Sequence, residues 1–280
     1  MSDAIRGLDH ALIGVSDLAA ARARWERLGF TLTPMGRHTG RPTGNHCIMF
    51  QDDYVELIGI VDPDGAPSRL SGLLEEKGEG LIGAALAAEA EAARASFAAA
   101  GLNPSEVQTL VRPTEGGEAR FSLVDLPPEE TPEFRFFVCE HHTPELVRNE
   151  SWLSHPNGAT GLQTLTLVSP DADPLEEPFA KLFGAERVEL IDDVLLIKMP
   201  RQRVVIVNPF DLEGLYPDLD MGLETSAAPR GVALRFATGD IEASLAWLQK
   251  AGHNVIETAD GAIQIAPEDA NGVLLEFVEP

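Results

Sequence analysis

Apolar and polar positions along the chain fall into one recurring order: a strand-like run, a helical stripe, then further extended runs. Residues 7–61 carry it most clearly. LDHALIGV reads as a strand, and Ser16-Asp17 then offers short oxygen side chains to cap free backbone amides. Leu18, Ala21, Trp25 and Leu28 recur at helical spacing, and Gly29 stops the helix. FTLTP, HCIMFQ and YVELIGIV follow as three extended pieces, so the unit is βαβββ.

The far end repeats this grammar. GVALRFAT precedes Asp240 as cap, Ile241, Leu245 and Leu248 as the apolar stripe, and Gly252 as the stop, with NVIET, AIQIAP and VLLEFVE completing the unit. A third copy runs from GLQTLTLVS through a helix ending at Phe183-Gly184 to RVELI, VLLIKM and RVVIVNP. Pro178 predicts a late start for that helix, since proline lacks the donor an inner turn needs. The second copy is the least clear: GLIGAALAA, an Ala-rich helix over 91–100 closed by Gly101, then EVQTLVR, ARFSLVD and FRFFVCEHH. The units span 7–61, 79–142, 160–209 and 230–279. Residues 62–71, 143–159 and 208–229, rich in Pro, Gly and polar side chains, read as linkers. The middle one, with Trp152 and the turn His155-Pro156-Asn157-Gly158, divides the chain into domains at 1–148 and 156–280. Three strands per helix favour an α+β fold with antiparallel or mixed sheet over a doubly wound parallel one.

Composition narrows the function classes. The 280 residues are 44% hydrophobic and 24% charged, ordinary for globular protein. Against 21 Lys and Arg stand 45 Asp and Glu, a net charge of −24, which repels phosphate backbones and anionic membranes. Nucleic acid and membrane are therefore not expected partners. No apolar run approaches the roughly 18 to 20 residues of a membrane helix, and MSDAIRGLDH lacks a signal-peptide profile, so the expected address is cytoplasmic. Cys47 and Cys139 form no metal or redox motif and read as buried apolar thiols.

LDHALIGVSDLAAARARWERLGF, GRHTGRPTGNH, DDYVELIGI and FFVCEHHTPELV followed by HPNGA together resemble the glyoxalase-like branch of the vicinal-oxygen-chelate superfamily. The resemblance extends over essentially the whole chain, strongest in 7–61 and 134–170. It implies four modules curled pairwise into two glyoxalase/bleomycin-resistance/dioxygenase-type cups. It also implies a divalent metal (Zn, Ni, Fe or Mn) held by His, Gln or Glu from first and fourth strands, and a small-molecule substrate that chelates it.

The residues allow that chemistry. His10 alternates with Leu8 and Leu12, and Glu56 with Tyr54 and Ile58, so each polar group shares a face with large apolar ones. On a cavity wall they must be paired, hydrated or metal-bound. Aligned with His10 are Gly83, Thr164 and Leu234; aligned with Glu56 are Glu140, Ile206 and Glu276. If units one and two share a cup, the metal set is His10, Glu56 and Glu140, with His141 replacing Glu140 on a one-residue register slip. If units one and four share it, Glu276 is third. Glu56 or Glu140 would move a proton next to a chelated oxygen, the work of a lyase or isomerase. His38 and Asn45 bracket a loop whose Arg37 and Arg41 suit an oxygen-rich or anionic substrate, or which serves only as a hairpin connection. Two alternatives stay open: a metal-free cup that binds or sequesters a small molecule, and an extradiol-type dioxygenase using His10, Glu56 and His141. Completion of the cup by a second chain, as a homodimer, is also open.

Overall fold

The computed structural model describes residues 4–65, 68–114, 116–131, 134–217, 219 and 230–280. Its amino-terminal half runs β1 (Gly7–Gly14), α1 (Leu18–Arg27), β2 (Gly36–Arg37), β3 (Thr43–Met49), β4 (Tyr54–Ile60), α2 (Arg69–Lys77), β5 (Gly80–Ala87), α3 (Ala90–Ala99), β6 (Gln108–Thr114), β7 (Gly117–Asp125) and β8 (Arg135–His141). The other half runs β9 (Ala159–Val168), α4 (Asp173–Phe183), β10 (Val188–Ile191), β11 (Val194–Lys198), β12 (Arg203–Val207), α5 (Pro209–Leu215), β13 (Arg230–Thr238), α6 (Ile241–Lys250), β14 (Val255–Glu257), β15 (Ile263–Ile265) and β16 (Leu274–Val278).

These strands form two eight-stranded sheets, ordered β2-β3-β4-β1-β5-β8-β7-β6 and β10-β11-β12-β9-β13-β16-β15-β14. Within each unit the first and last strands pair in parallel, as β1 does with β4, because a helix carries the chain across. Two units then meet through antiparallel first strands, β1 with β5 and β9 with β13. The result is an α+β fold of two mixed sheets. Units one and two share a sheet, so Glu276, on β16 of the other sheet, does not join His10.

Local chemistry accounts for the element ends. Asp17 accepts from Ala20 N at 2.9 Å and Asp240 from Ala243 N at 2.9 Å, each satisfying an orphan amide of its helix. Gly29, at φ 82°, ends α1 in a conformation that L side chains rarely adopt. Other expectations need correction. FTLTP is not a strand: Thr33 exchanges hydrogen bonds with Cys47, but Pro34 has no donor for a ladder, and pairing starts only at Gly36. Helix α4 starts at Asp173 and runs through Pro178, because burying Leu175, Phe179, Leu182 and Phe183 outweighs one missing backbone bond. Two presumed linkers contain helices, α2 capped by Ser68 and α5 capped by Asn208. Each is short and buries a single side chain, Leu70 or Leu212, leaving almost no periodic signal. The linker over 208–229 lies partly outside the described residues.

One apolar core runs between the two sheets. Phe30 packs on Phe236 (5.2 Å), and Phe136 on Phe179 and Phe183 (5.8 and 5.4 Å), so rings from both halves interleave. Trp25 Nε1 donates to Asn271 Oδ1 at 3.0 Å across the same seam. No helix among the described residues is long and apolar enough to cross a membrane.

The connection between halves is pinned by His155. Thr31 N donates to its Nδ1 (3.0 Å) and its Nε2 donates to the Met49 carbonyl (3.0 Å), an arrangement that needs a neutral ring. Burial pushes its pKa from 6.5 down to about 4, against the opposing pull of the Met49 carbonyl. Between those values the unfolded chain binds a proton that the folded chain refuses, so this stability is complete above pH 6.5 and lost toward pH 4. Urea unfolding of the parent and His155→Gln from pH 7 to pH 4 should show the parent losing on the order of 3 kcal/mol more than the variant. Parallel curves would contradict this.

Candidate functional site

The concave face of the first sheet encloses a cavity of about 410 Å³. Its wall follows strand parity: Tyr54, Glu56 and Ile58 from β4, Phe121 and Leu123 from β7, and Arg135, Phe137 and Cys139 from β8. On β1 the parity breaks. A bulge between Leu8 and His10 leaves Asp9 unpaired against β5. Leu8 therefore turns into the core with Ala11 and Ile13, correcting the face shared with His10 expected from alternation, while Asp9 comes beside His10.

His10 sits between two carboxylates. It donates from Nδ1 to Asp9 Oδ2 at 2.7 Å, and its Nε2 lies 3.4 Å from Glu56 Oε2. A ring donating from Nδ1 presents its other nitrogen to an acceptor-only group, so a proton or cation belongs in that gap. Tyr54 stacks on the ring at 4.3 Å and Phe137 meets it edge-on at 5.7 Å, fixing its plane.

Glu56 is held on its other oxygen. Asn45 Nδ2 donates to Oε1 at 2.7 Å, and His38 Nε2 stands 3.6 Å away. Arg112 Nη1 reaches Asn45 Oδ1 at 3.4 Å. Burial raises the Glu56 pKa, but His10, His38, Asn45 and Arg112 together outweigh it and hold the carboxyl below its usual value. Burial lowers the His38 pKa more than Glu56 raises it. The loop bearing His38 and Asn45 thus both connects a hairpin and lines the cavity, with Arg41 but without Arg37.

Glu140 is not brought to this site. It points to the helical side of β8, where Oε2 accepts from Ala90 N at 2.9 Å, the first amide of α3. Glu89 at the head of that helix supplies no side-chain cap, so Glu140 fills an obligatory structural role. His141 occupies the concave side instead: Nε2 lies 3.1 Å from Asp9 Oδ2, and its ring meets Phe121 edge-on at 4.8 Å. His142 faces outward against Ser122.

Among the described residues, Asp9, Cys139 and His141 form the one group of three metal-capable donors whose ligand atoms all lie within 4.8 Å. Asp9 is 3% exposed and meets His10, His141 and, at 3.8 Å, Arg148. His141 Nδ1 is buried without a partner. Burial, with the charges of Asp9 and Glu56, pushes the Cys139 thiol far up, and the opposing pull of Arg112 is too small to offset them. Carboxylate, thiol and imidazole together suit a divalent transition ion of borderline softness, and the orphaned imidazole nitrogen is consistent with one. The residues therefore fit the metal that the fold family implies; of the expected set His10, Glu56, Glu140 and His141, His141 alone belongs to this cluster, which Asp9 and Cys139 complete. Sequence reasoning missed Asp9 because the bulge is not visible in alternation. Cys139 was recoverable, since it shares parity with Phe137 and His141.

Among the described residues, the second cup holds no comparable site. Leu212, within α5, and Tyr216, just beyond its end, pack into it against Val168, Val207, Val232, Ala233 and Leu274. Glu276 is consumed by Arg235 and by Gln264 Nε2 at 2.9 Å.

Comparison with solved structures finds the same fold in a hypothetical protein from Staphylococcus aureus, at 12% identity and a TM-score of 0.69, with 98% of this chain and 99% of that one covered. A xylose isomerase-like TIM barrel/4-hydroxyphenylpyruvate dioxygenase fusion protein matches at 14% identity and a TM-score of 0.64, over 100% of this chain and 50% of the other. A mutant of 4-hydroxymandelate synthase from Streptomyces coelicolor matches at 14% identity and 0.64, over 98% and 92%. No curated protein sequence matches the chain. The family model of the glyoxalase-like domain matches residues 8–183. The chain thus belongs to the glyoxalase-like domain family of the vicinal-oxygen-chelate fold.

Proposed function

We propose that the first cup binds a small oxygen-rich molecule and acts on it as a divalent-metal-dependent lyase or isomerase, with Glu56 as the group that moves the proton. The observation that carries this reading is a buried carboxylate on the cavity wall, set between the imidazoles of His10 at 3.4 Å and His38 at 3.6 Å.

Asp9, Cys139 and His141 would hold the ion, and Cys139 belongs both to that cluster and to the cavity wall. When bound, such an ion supplies Lewis acidity toward a substrate oxygen. Asn45 anchors one oxygen of Glu56 and leaves the other for proton transfer. Asp9 fixes the tautomer and orientation of His10, which can pass the proton back. His38 reaches the substrate oxygen from the loop side. A carboxylate held ionised is ready at neutral pH but is a weak base, so its substrate needs a carbon acid activated by a neighbouring carbonyl. An α-hydroxycarbonyl compound meets that need, and its isomerisation is redox-neutral: one proton leaves carbon and one returns to the adjacent centre.

The test is proton NMR in D₂O. The protein is loaded in turn with Zn²⁺, Ni²⁺, Mn²⁺ or Fe²⁺ and supplied with glyceraldehyde, dihydroxyacetone or the hemithioacetal of methylglyoxal. Enzyme-dependent loss of the signal of the proton on the carbon next to the carbonyl is expected with at least one pair. Exchange at the buffer rate with every pair would overturn the reading.

A further inference from the structure

The cavity is positively charged in a strongly acidic protein. The chain carries 45 Asp and Glu against 21 Lys and Arg. Yet Arg41, Arg69, Arg112 and Arg135 all line the cavity, and among the described residues Glu56 is the only carboxylate on its wall. With acidic side chains in such excess, an arginine would ordinarily find one. Arg135 does, pairing with Asp125 while its guanidinium lies 3.9 Å over the Phe137 ring. Among the described residues, neither Arg41 nor Arg69 forms an ion pair. Arg112 is directed at the Asn45 amide oxygen (3.4 Å) and sits 5.8 Å over the Phe121 ring.

Arg69 and Arg135 line the same cavity, and the carboxylate of Asp125, paired with Arg135, also acts on Arg69, so two guanidiniums share it. Four guanidiniums on the wall exceed the carboxylates of Glu56 and Asp125 that face them, and gathering like charges costs free energy that a bound anion would offset. Leu12, Ile82, Leu110, Phe121, Leu123 and Phe137 line the same cavity, so charge stands beside an apolar surface. A ligand suited to both carries an anionic end and an apolar body.

We infer that the ligand of the first cup is a small organic anion, its carboxylate or phosphate held by Arg69, Arg112 and Arg135 and its apolar body lying against Phe121 and Phe137. This deepens the reading above and rests on it only in taking the first cup as the ligand site. Guanidinium forks match both carboxylate and phosphate in two-point contacts, so the two head groups share one recognition chemistry. Arg41, on the loop over the cavity, adds long-range attraction that draws such an anion into an otherwise repelling protein.

The test uses three probes of one body: benzoate, phenyl phosphate and neutral benzamide, titrated calorimetrically into the parent, Arg69→Gln, Arg112→Gln and Glu56→Gln proteins. One anion is expected to bind at least about tenfold tighter than benzamide, and whichever it is identifies the head group. Arg69→Gln, an exposed substitution, should weaken that anion about tenfold and leave benzamide unchanged. Arg112→Gln should act in the same direction. Glu56→Gln should preserve or tighten anion binding, because it removes a negative charge from the wall. Equal affinity for benzoate, phenyl phosphate and benzamide would overturn the inference. So would unchanged anion binding in Arg69→Gln and Arg112→Gln, or no saturable anion binding up to about 10 mM. Anion binding with no proton exchange would refute the chemistry of Glu56 alone; exchange without anion preference would refute this inference alone.

Discussion

Replacing Asp9 by alanine is expected to destabilise the folded protein by about 3–5 kcal/mol, the cost of removing one member of a buried charge network and leaving the others unpaired. Asp9 is 3% exposed and faces His10 at 2.7 Å, His141 at 3.1 Å and Arg148 at 3.8 Å. Arg148 also donates to the carbonyls of Gln51 and Asp52, so its loosening would disturb the β3–β4 turn as well. Asp9→Asn keeps the volume and one acceptor, so its smaller loss would measure how much of the effect is charge. Equilibrium urea unfolding of chelator-treated protein gives both values; a loss below about 1 kcal/mol for Asp9→Ala would show that the network contributes little.

Glu56→Gln is expected to lower proton exchange by a factor of about 10²–10⁴, the range over which a positioned base accelerates transfer. The glutamine oxygen can still accept from Asn45, so the cavity should keep its shape and ligand affinity should stay within a few-fold. What the amide cannot do is take a proton. The loss should therefore fall on kcat with KM nearly unchanged, the mark of an interaction made in the transition state. A rise in KM at constant kcat would make Glu56 a binding group and remove it from the chemistry.

The fold was legible because each of the four units states the same order of strand, helix and glycine stop, with an Asp cap in the first and fourth, and repetition compensates for one blurred copy. What escaped was short or locally irregular. FTLTP has strand composition, but Pro34 breaks its ladder. Helices α2 and α5 each bury one residue, Leu70 and Leu212, and so write no stripe into the sequence. In the site, His10 and Glu56 were visible as polar groups on apolar faces. Asp9 was not, because a bulge inverts the parity on which that argument depends. On β8 the choice between Glu140 and His141 was a question of parity alone, and the need of α3 for a cap takes Glu140 away. The arginines were hidden for another reason: Arg69, Arg112 and Arg135 come from separate elements, and only the closed cup gathers them.

The two sheets also supply an internal comparison. Glu56 and Glu276 stand on the closing strands of units one and four, yet Glu56 opens onto a cavity, whereas Glu276 is bound by Arg235 and Gln264 in a cup filled by Leu212 and Tyr216. The most direct measurement is the rate of carbon-bound proton exchange, per folded molecule, for Glu56→Gln and Glu276→Gln beside the parent. Loss of exchange in Glu56→Gln with Glu276→Gln near the parental rate is the predicted result. Parental exchange in Glu56→Gln, or its loss only in Glu276→Gln, would place the chemistry elsewhere than the first cup.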